Sequence, residues 1–213
     1  MKLYTYFRSS AAWRARIALA LKGITWTPEY VHLLKGGGQQ LGEAYRGKNP
    51  TALVPTLETD EGALIPQSLA IIEWLEETHP RPPLLPEDPL ARAKVRAVAL
   101  TIACDIHPLN NLRVLRYLKH ELGQSDQVRD EWYAHWVGEG LTAVETMLRG
   151  EAGPLCFGDA PGLADICLVP QMANARRLNC PLDGYPTLRR AEAAALALPA
   201  FRDAAPENQP DAG

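Results

Sequence analysis

Apolar and polar positions change their period several times along the chain. From Lys2 to Tyr6 they alternate, with Leu and Tyr prominent, which predicts a strand. Trp13, Ile17 and Leu21 then recur at i, i+4 and i+8, the spacing of one helix face; Ser9 or Ser10 stands where a cap belongs and Gly23 where a helix ends. Thr25 to Leu33 reads as a second strand, and a strand-helix-strand unit predicts parallel pairing with a right-handed crossover. Gly36, Gly37 and Gly38 close that unit, a short helix runs from Gln39 to about Arg46, and Asn49-Pro50 breaks it. Two short apolar runs, Val54 to Glu58 and Ala63 to Ile65, flank a turn in which Asp60 and Gly62 supply the chemistry of a hairpin. Ser68 is placed to cap a third helix reaching about Thr78, with Leu69, Ile72 and Leu75 or Glu76 as its stripe and Pro80 as its stop. The predicted order is βαβαββα.

Pro80, Pro82, Pro83 and Pro86 stiffen residues 80–88, so a linker is expected there between a domain at 1–79 and a second at 89–213. Beyond it strand-like alternation stops: residues 89–122, 128–149, 162–178 and 186–198 carry helical spacing, which predicts an all-helical second domain. The polar, proline-containing tail from Ala204 to Gly213 has no period and is expected to be poorly ordered.

With 46% apolar and 22% charged residues among 213, the chain has the composition of a folded globular protein. Its formal net charge of -3 gives no basic footprint for nucleic acid or an anionic membrane and favours a small-molecule partner. Met1 to Arg8 lacks the apolar core of a signal peptide, and Lys and Arg interrupt every apolar segment before it could span a bilayer, so the expected address is the cytoplasm. Cys104, Cys156, Cys167 and Cys180 show no metal-ligand or disulfide spacing and read as buried packing thiols; no metal is expected, since the histidines also lack ligand spacing.

Three stretches could carry chemistry. Arg8-Ser9-Ser10-Ala11 sits where the first strand meets the first helix, a junction of free backbone N–H groups and positive dipole that can hold an anion or lower a thiol pKa; the same serines would also serve as plain caps. Val54-Pro55, if cis, would turn the Val54 backbone outward for pairing with a peptide-like ligand, and if trans would be an ordinary strand start. Gln67-Ser68 opens the third helix and could take a carboxylate, or merely cap.

Together these stretches resemble one family. Tyr6-Phe7-Arg8-Ser9-Ser10, Trp13-Arg14, the run Arg16 to Gly23, Gly37-Gly38-Gln39-Gln40, Asn49-Pro50, Val54 to Leu57 and Gln67 to Glu73 are similar to the zeta-class glutathione transferases, and Pro108-Leu109, Asn111-Leu112, Ala164-Asp165 and Leu168 to Gln171 extend the likeness to about Pro206. The resemblance implies the glutathione transferase fold, α/β plus all-α: a thioredoxin-like N-terminal domain and a helical C-terminal one. It implies glutathione as cofactor, with Ser9 stabilising its thiolate, Ser10 and Ala11 alongside, Gln40, Val54 and Pro55 holding the cysteinyl and glycyl portions, and Gln67 with Ser68 at the γ-glutamyl end. Val54-Pro55 would then be cis. His107, Asn111, Leu112 and Arg113 would border the glutathione or substrate site, within the chain or across the interface of a homodimer.

The activity implied is cis-trans isomerisation of a small unsaturated dicarboxylic keto acid, maleylpyruvate before maleylacetoacetate. A general glutathione transferase, or a binding module without catalysis, remains the alternative. Thiolate addition turns the fixed double bond into a rotatable single bond, so the protein must hold two carboxylates meanwhile. Arginine suits that task because its planar fork gives two parallel charge-assisted bonds. Arg8 is the first choice, with Arg176, Arg177 and Arg113 as further contacts. Ala11 stands where the family commonly has cysteine, which removes any enzyme thiol from this turn, and Gly162 stands where Ser or Thr is usual three residues before Asp165.

Overall fold

The computed structural model describes residues 1–212. The chain divides into two compact units, residues 1–83 together with 198–213, and residues 84–197. The sequence places the closing segment with the helical domain; the structure puts it with the first unit.

In the first unit β1 (Lys2–Thr5), α1 (Ser10–Leu21), β2 (Thr27–Tyr30), α2 (Glu43–Arg46), β3 (Thr56–Glu58), β4 (Leu64–Pro66) and α3 (Ser68–Thr78) follow one another in the expected order. The sheet runs β2-β1-β3-β4, with β1 parallel to β2 and antiparallel to β3, and β3 antiparallel to β4. Gly23 closes α1 at a φ of 65°, with Gly23 N–H on Ala20 O and Ile24 N–H on Leu19 O; a left-handed residue here costs glycine little. Ala12 and every residue from Trp13 to Leu19 are buried, so α1 is enclosed all round rather than along a stripe, and it packs against α3.

Several expectations shift. The predicted second strand is shorter than Thr25–Leu33, and Ser68 is the first helical residue rather than the cap, which is Gln67 at a φ of 70°. Among the described residues the tail is ordered, Gly213 lying outside them: α9 (Pro199–Arg202) packs on α1, and two 3₁₀ turns, Pro206–Asn208 and Pro210–Ala212, follow it. It is held by hydrogen bonds to the turn after β1 and to α1, Asp211 accepting from Phe7 N–H and the Ala204 carbonyl from Arg16 Nε, which no local pattern reveals.

The second unit holds α4 (Pro89–Leu100), α5 (Leu112–His120), α6 (Asp126–Met147), α7 (Leu163–Arg177) and α8 (Pro186–Leu196). Residues 89–122 are not one helix. A π-helical turn, Thr101–Ile106, follows α4 directly, and an irregular stretch precedes α5. Side chains supply the caps: Asp88 accepts from Ala91 N–H, Asn111 from Arg113 N–H and Ser125 from Val128 N–H, while Glu145 on α6 accepts from Thr187 and Leu188 N–H at the start of α8. At α7 the cap is one-sided. Gly162 has no side chain to give, and a Cβ there would lie 2.9 Å from Leu84 O, but Asp165 Oδ2 accepts from Gly162 N–H at 3.0 Å and its Oδ1 from Cys156 N–H at 2.8 Å. Cys156, Cys167 and Cys180 are buried as expected; Cys104 is exposed. No helix among the described residues is long and apolar enough to cross a membrane.

Candidate active site

Strand register gathers the first-unit candidates on one edge of the sheet. Tyr4 faces Thr56 across the antiparallel pair and Thr56 faces Pro66, so stepping outward brings Tyr6, Val54 and Ser68 together just beyond the three strand ends. Because β2 runs parallel to β1, its continuation leaves at the same edge: Val31 N–H bonds Thr5 O, and the His32 ring lies 4.9 Å from that of Tyr6. Gln40 is carried there by a 3₁₀ turn, Gln39–Leu41.

Ser9 caps α1, its Oγ accepting from Ala12 N–H at 3.2 Å. That contact uses a lone pair and leaves the hydroxyl proton free to donate, so capping and anion stabilisation do not compete. Ser10 is buried as the first helical residue, and Ala11 is half-buried beside it. Arg8 is exposed, with no hydrogen bond or ion pair among the described residues. Burial pushes the Tyr6 phenol up, opposed by Arg8 and reinforced by Asp211.

Gln40 is buried and its Oε1 has no hydrogen-bond partner among the described residues. The preceding Gly38 makes room for it: at a φ of 117°, a Cβ on Gly38 would stand 2.7 Å from the Gln40 amide nitrogen and 2.9 Å from Leu33 O. The Val54-Pro55 peptide is cis, and Val54 packs among Tyr4, Tyr6, Val31 and Tyr45. Gln67, exposed and left-handed at the mouth of α3, makes no capping bond, and Ser68 behind it is buried. A non-glycine residue held at positive φ marks a backbone fixed by its surroundings.

The sequence reading overlooks what holds this edge. Tyr45 Oη donates to Leu53 O at 2.7 Å, and Asn49 Nδ2 donates to Leu53 O at 2.8 Å and to Thr56 Oγ1 at 3.1 Å, so the chain approaching Val54 is tied from α2 and the loop behind it. Arg16, noted in the sequence only as part of the family likeness, is buried and bonded to the strand-helix turn. A charge inside an enclosed helix was the available signal.

In the second unit, His107 follows the π turn, Asn111 caps α5, Leu112 begins it, and the Arg113 side chain is exposed without a partner among the described residues. Arg176 is engaged by Glu192, Nη1 to Oε1 at 3.1 Å and Nη2 to Oε2 at 2.6 Å; Arg177 donates to Asn174 Oδ1 at 3.1 Å.

Residues 8–78 match the Glutathione S-transferase, N-terminal domain family. Over 211 residues, 99% of this chain and 98% of its relative, the sequence is 52% identical to maleylacetoacetate isomerase of Pseudomonas aeruginosa. A holo structure of maleyl pyruvate isomerase, a bacterial glutathione-S-transferase in zeta class, superposes with a TM-score of 0.96 at 45% identity, both chains covered in full. The chain belongs to the zeta-class glutathione transferases. This zeta-class chain also matches a maleylacetoacetate isomerase from Anaeromyxobacter dehalogenans, solved with bound GSH in the active site, at a TM-score of 0.89 and 46% identity over 100% of this chain and 97% of that one. The family and fold expected from the sequence both hold.

Proposed function

We propose that this protein is a glutathione-dependent cis-trans isomerase of a small unsaturated dicarboxylic keto acid, converting maleylpyruvate to fumarylpyruvate. The observation that carries it is the pairing of Ser9, whose capping bond leaves its proton free, with the adjacent exposed Arg8, which has no hydrogen bond or ion pair among the described residues. Support comes also from the relatives, which are named isomerases and are similar over nearly the whole chain. Maleylacetoacetate is the second reading, favoured by the 52% identity to the Pseudomonas aeruginosa protein.

The first unit fits a tripeptide thiol. The orphaned Gln40 Oε1 awaits a donor, the Gly38 cradle keeps that amide in place, and the uncapped start of α3 beside Gln67 and Ser68 offers N–H groups to a carboxylate. Ser9, Ser10, Ala11, Gln40, Val54, Pro55, Gln67 and Ser68 would hold glutathione. When bound, glutathione supplies the thiolate that adds reversibly to the conjugated double bond and lets it rotate.

The chain's own residues do the rest. Ser9 donates its hydroxyl proton toward the sulfur, and the N-terminus of α1 favours negative charge there. Arg8 holds a carboxylate through two parallel N–H bonds while the diacid turns. With Ala11 in the turn, the turn itself carries no thiol. The proposal includes a homodimer and a cytoplasmic setting, both on the family likeness.

The test follows each diacid spectrophotometrically with and without added glutathione. Isomerisation of maleylpyruvate strictly dependent on glutathione is expected; faster turnover of maleylacetoacetate would select the second reading, and turnover of neither would overturn both.

A further inference from the structure

The turn from Tyr6 to Ser9 aims both groups assigned to the chemistry, and what fixes it comes from far along the chain. Ser9 N–H closes the turn on Tyr6 O at 3.0 Å. Buried Arg16 reaches back from α1, donating Nη1 to Thr5 Oγ1 at 3.1 Å and to Tyr6 O at 3.4 Å, and Nη2 to Phe7 O at 3.0 Å. Its Nε donates to Ala204 O at 3.0 Å. From the last 3₁₀ turn, Asp211 Oδ2 accepts from Phe7 N–H at 2.9 Å. Phe7 is therefore pinned on both sides, its carbonyl by Arg16 and its amide by Asp211, and both pins connect to the segment Leu198–Ala212.

The second oxygen of Asp211 is informative. Oδ1 is buried and has no hydrogen-bond partner among the described residues. A carboxylate placed only for stability would satisfy both oxygens, because a buried unpaired acceptor costs folding free energy. Burial pushes the Tyr6 and Tyr30 phenols up and the Arg16 guanidinium down to about 10, and the Asp211 charge adds to the first two shifts and opposes the third.

We propose that Asp211 is a positioning residue for the isomerisation: by holding the Phe7 amide, it sets the turn that aims the Arg8 guanidinium and the Ser9 hydroxyl. The role rests on the isomerase activity proposed for this chain. Asp211 touches neither reactant; it acts through the backbone.

The experiment compares the full-length protein with Asp211→Ala and Asp211→Asn. In D211A, kcat for the diacid falls by about tenfold to a hundredfold, the order expected when a catalytic group is displaced by about an ångström. The glutathione Kd, read by calorimetry, changes by less than about threefold, since a factor of that size is under the ~1.4 kcal/mol that a tenfold change represents. D211N retains an acceptor oxygen and recovers most of the lost rate. Hydrogen exchange without any ligand shows faster exchange of the Phe7–Ser10 amides in D211A. If D211A is too unstable to assay, D211E, which moves the carboxylate by one methylene, shows the same fall in kcat with charge retained.

Unchanged kcat and exchange in D211A would overturn the proposal. So would a D211N as slow as D211A, which would assign the effect to charge, or a loss confined to the thermal midpoint. If the wild-type protein turns over neither diacid, the isomerase reading fails, while the exchange comparison still decides whether Asp211 holds the turn.

Discussion

Ser9 and Arg8 are neighbours in sequence, but their surroundings assign them different tasks. Ser9 is fixed by Ala12 N–H, whereas the Arg8 guanidinium is exposed and unpartnered among the described residues. Arg8 therefore keeps its donors for a ligand, and a carboxylate is the ligand that matches a planar fork. Hydrogen bonds to charged groups contribute roughly 1.5–3 kcal/mol. Arg8→Ala should thus raise KM for the diacid by about tenfold to a hundredfold, at ~1.4 kcal/mol per decade, and leave the glutathione Kd nearly unchanged. Steady-state kinetics with calorimetry checks both; a lost glutathione affinity would place Arg8 in the other subsite. At this scale the sequence shows which residues can do chemistry but not which are already occupied. Arg8 and Arg176 look alike in the sequence, and only the structure shows Arg176 held by both oxygens of Glu192. Asn49 and Asp211 were illegible for the same reason, their partners being set by tertiary contacts.

Elements were most legible where punctuation is strong. Gly23, Pro80 and the Asp60-Gly62 turn end their elements as expected, because each residue type admits few backbone conformations. The weak point was the stretch 89–122, whose apolar spacing is also compatible with a straight helix. The π turn at Thr101–Ile106 is recorded instead on another helix. Gly140, in the middle of α6, would be a poor choice on an open face, where Ala is better by roughly 1 kcal/mol. Here a Cβ would lie 2.1 Å from Ile106 Cγ1 and 2.4 Å from its Cδ1, and Ile106 is fully buried. Overpacking outweighs helix propensity, so Gly140→Ala should destabilise the protein by about 1–3 kcal/mol rather than stabilise it. Denaturant unfolding measures the change. Adding Ile106→Ala should recover part of the loss in the double variant, because the two positions share one space; simple additivity would show that the contact is not the cause.

For the molecule as a whole, stability in alkali is limited by phenols that must stay neutral inside it. Of the seven tyrosines, Tyr133 on α6 is the most strongly shifted among the described residues for which a value is resolved. Burial pushes it from 10.0 up to about 12; the nearby Arg177 opposes this and Cys180 adds to it. A folded-state pKa above the unfolded one means that the contribution of Tyr133 is complete below pH 10 and is lost as pH rises toward 12, since the unfolded chain releases the proton first. The difference is worth roughly 3 kcal/mol at ~1.4 kcal/mol per decade. Tyr133→Phe removes that ionisation and keeps the ring. Between pH 9.5 and 11.5 the urea midpoint, followed by far-ultraviolet circular dichroism, should therefore fall less steeply in Y133F than in the wild type. In native protein, absorbance at 295 nm should show one phenol fewer titrating near pH 12. Parallel slopes for the two proteins would mean that Tyr133 ionises in the folded state without cost, and the alkaline limb would then belong to Tyr45 and Tyr6, whose phenols burial also pushes up.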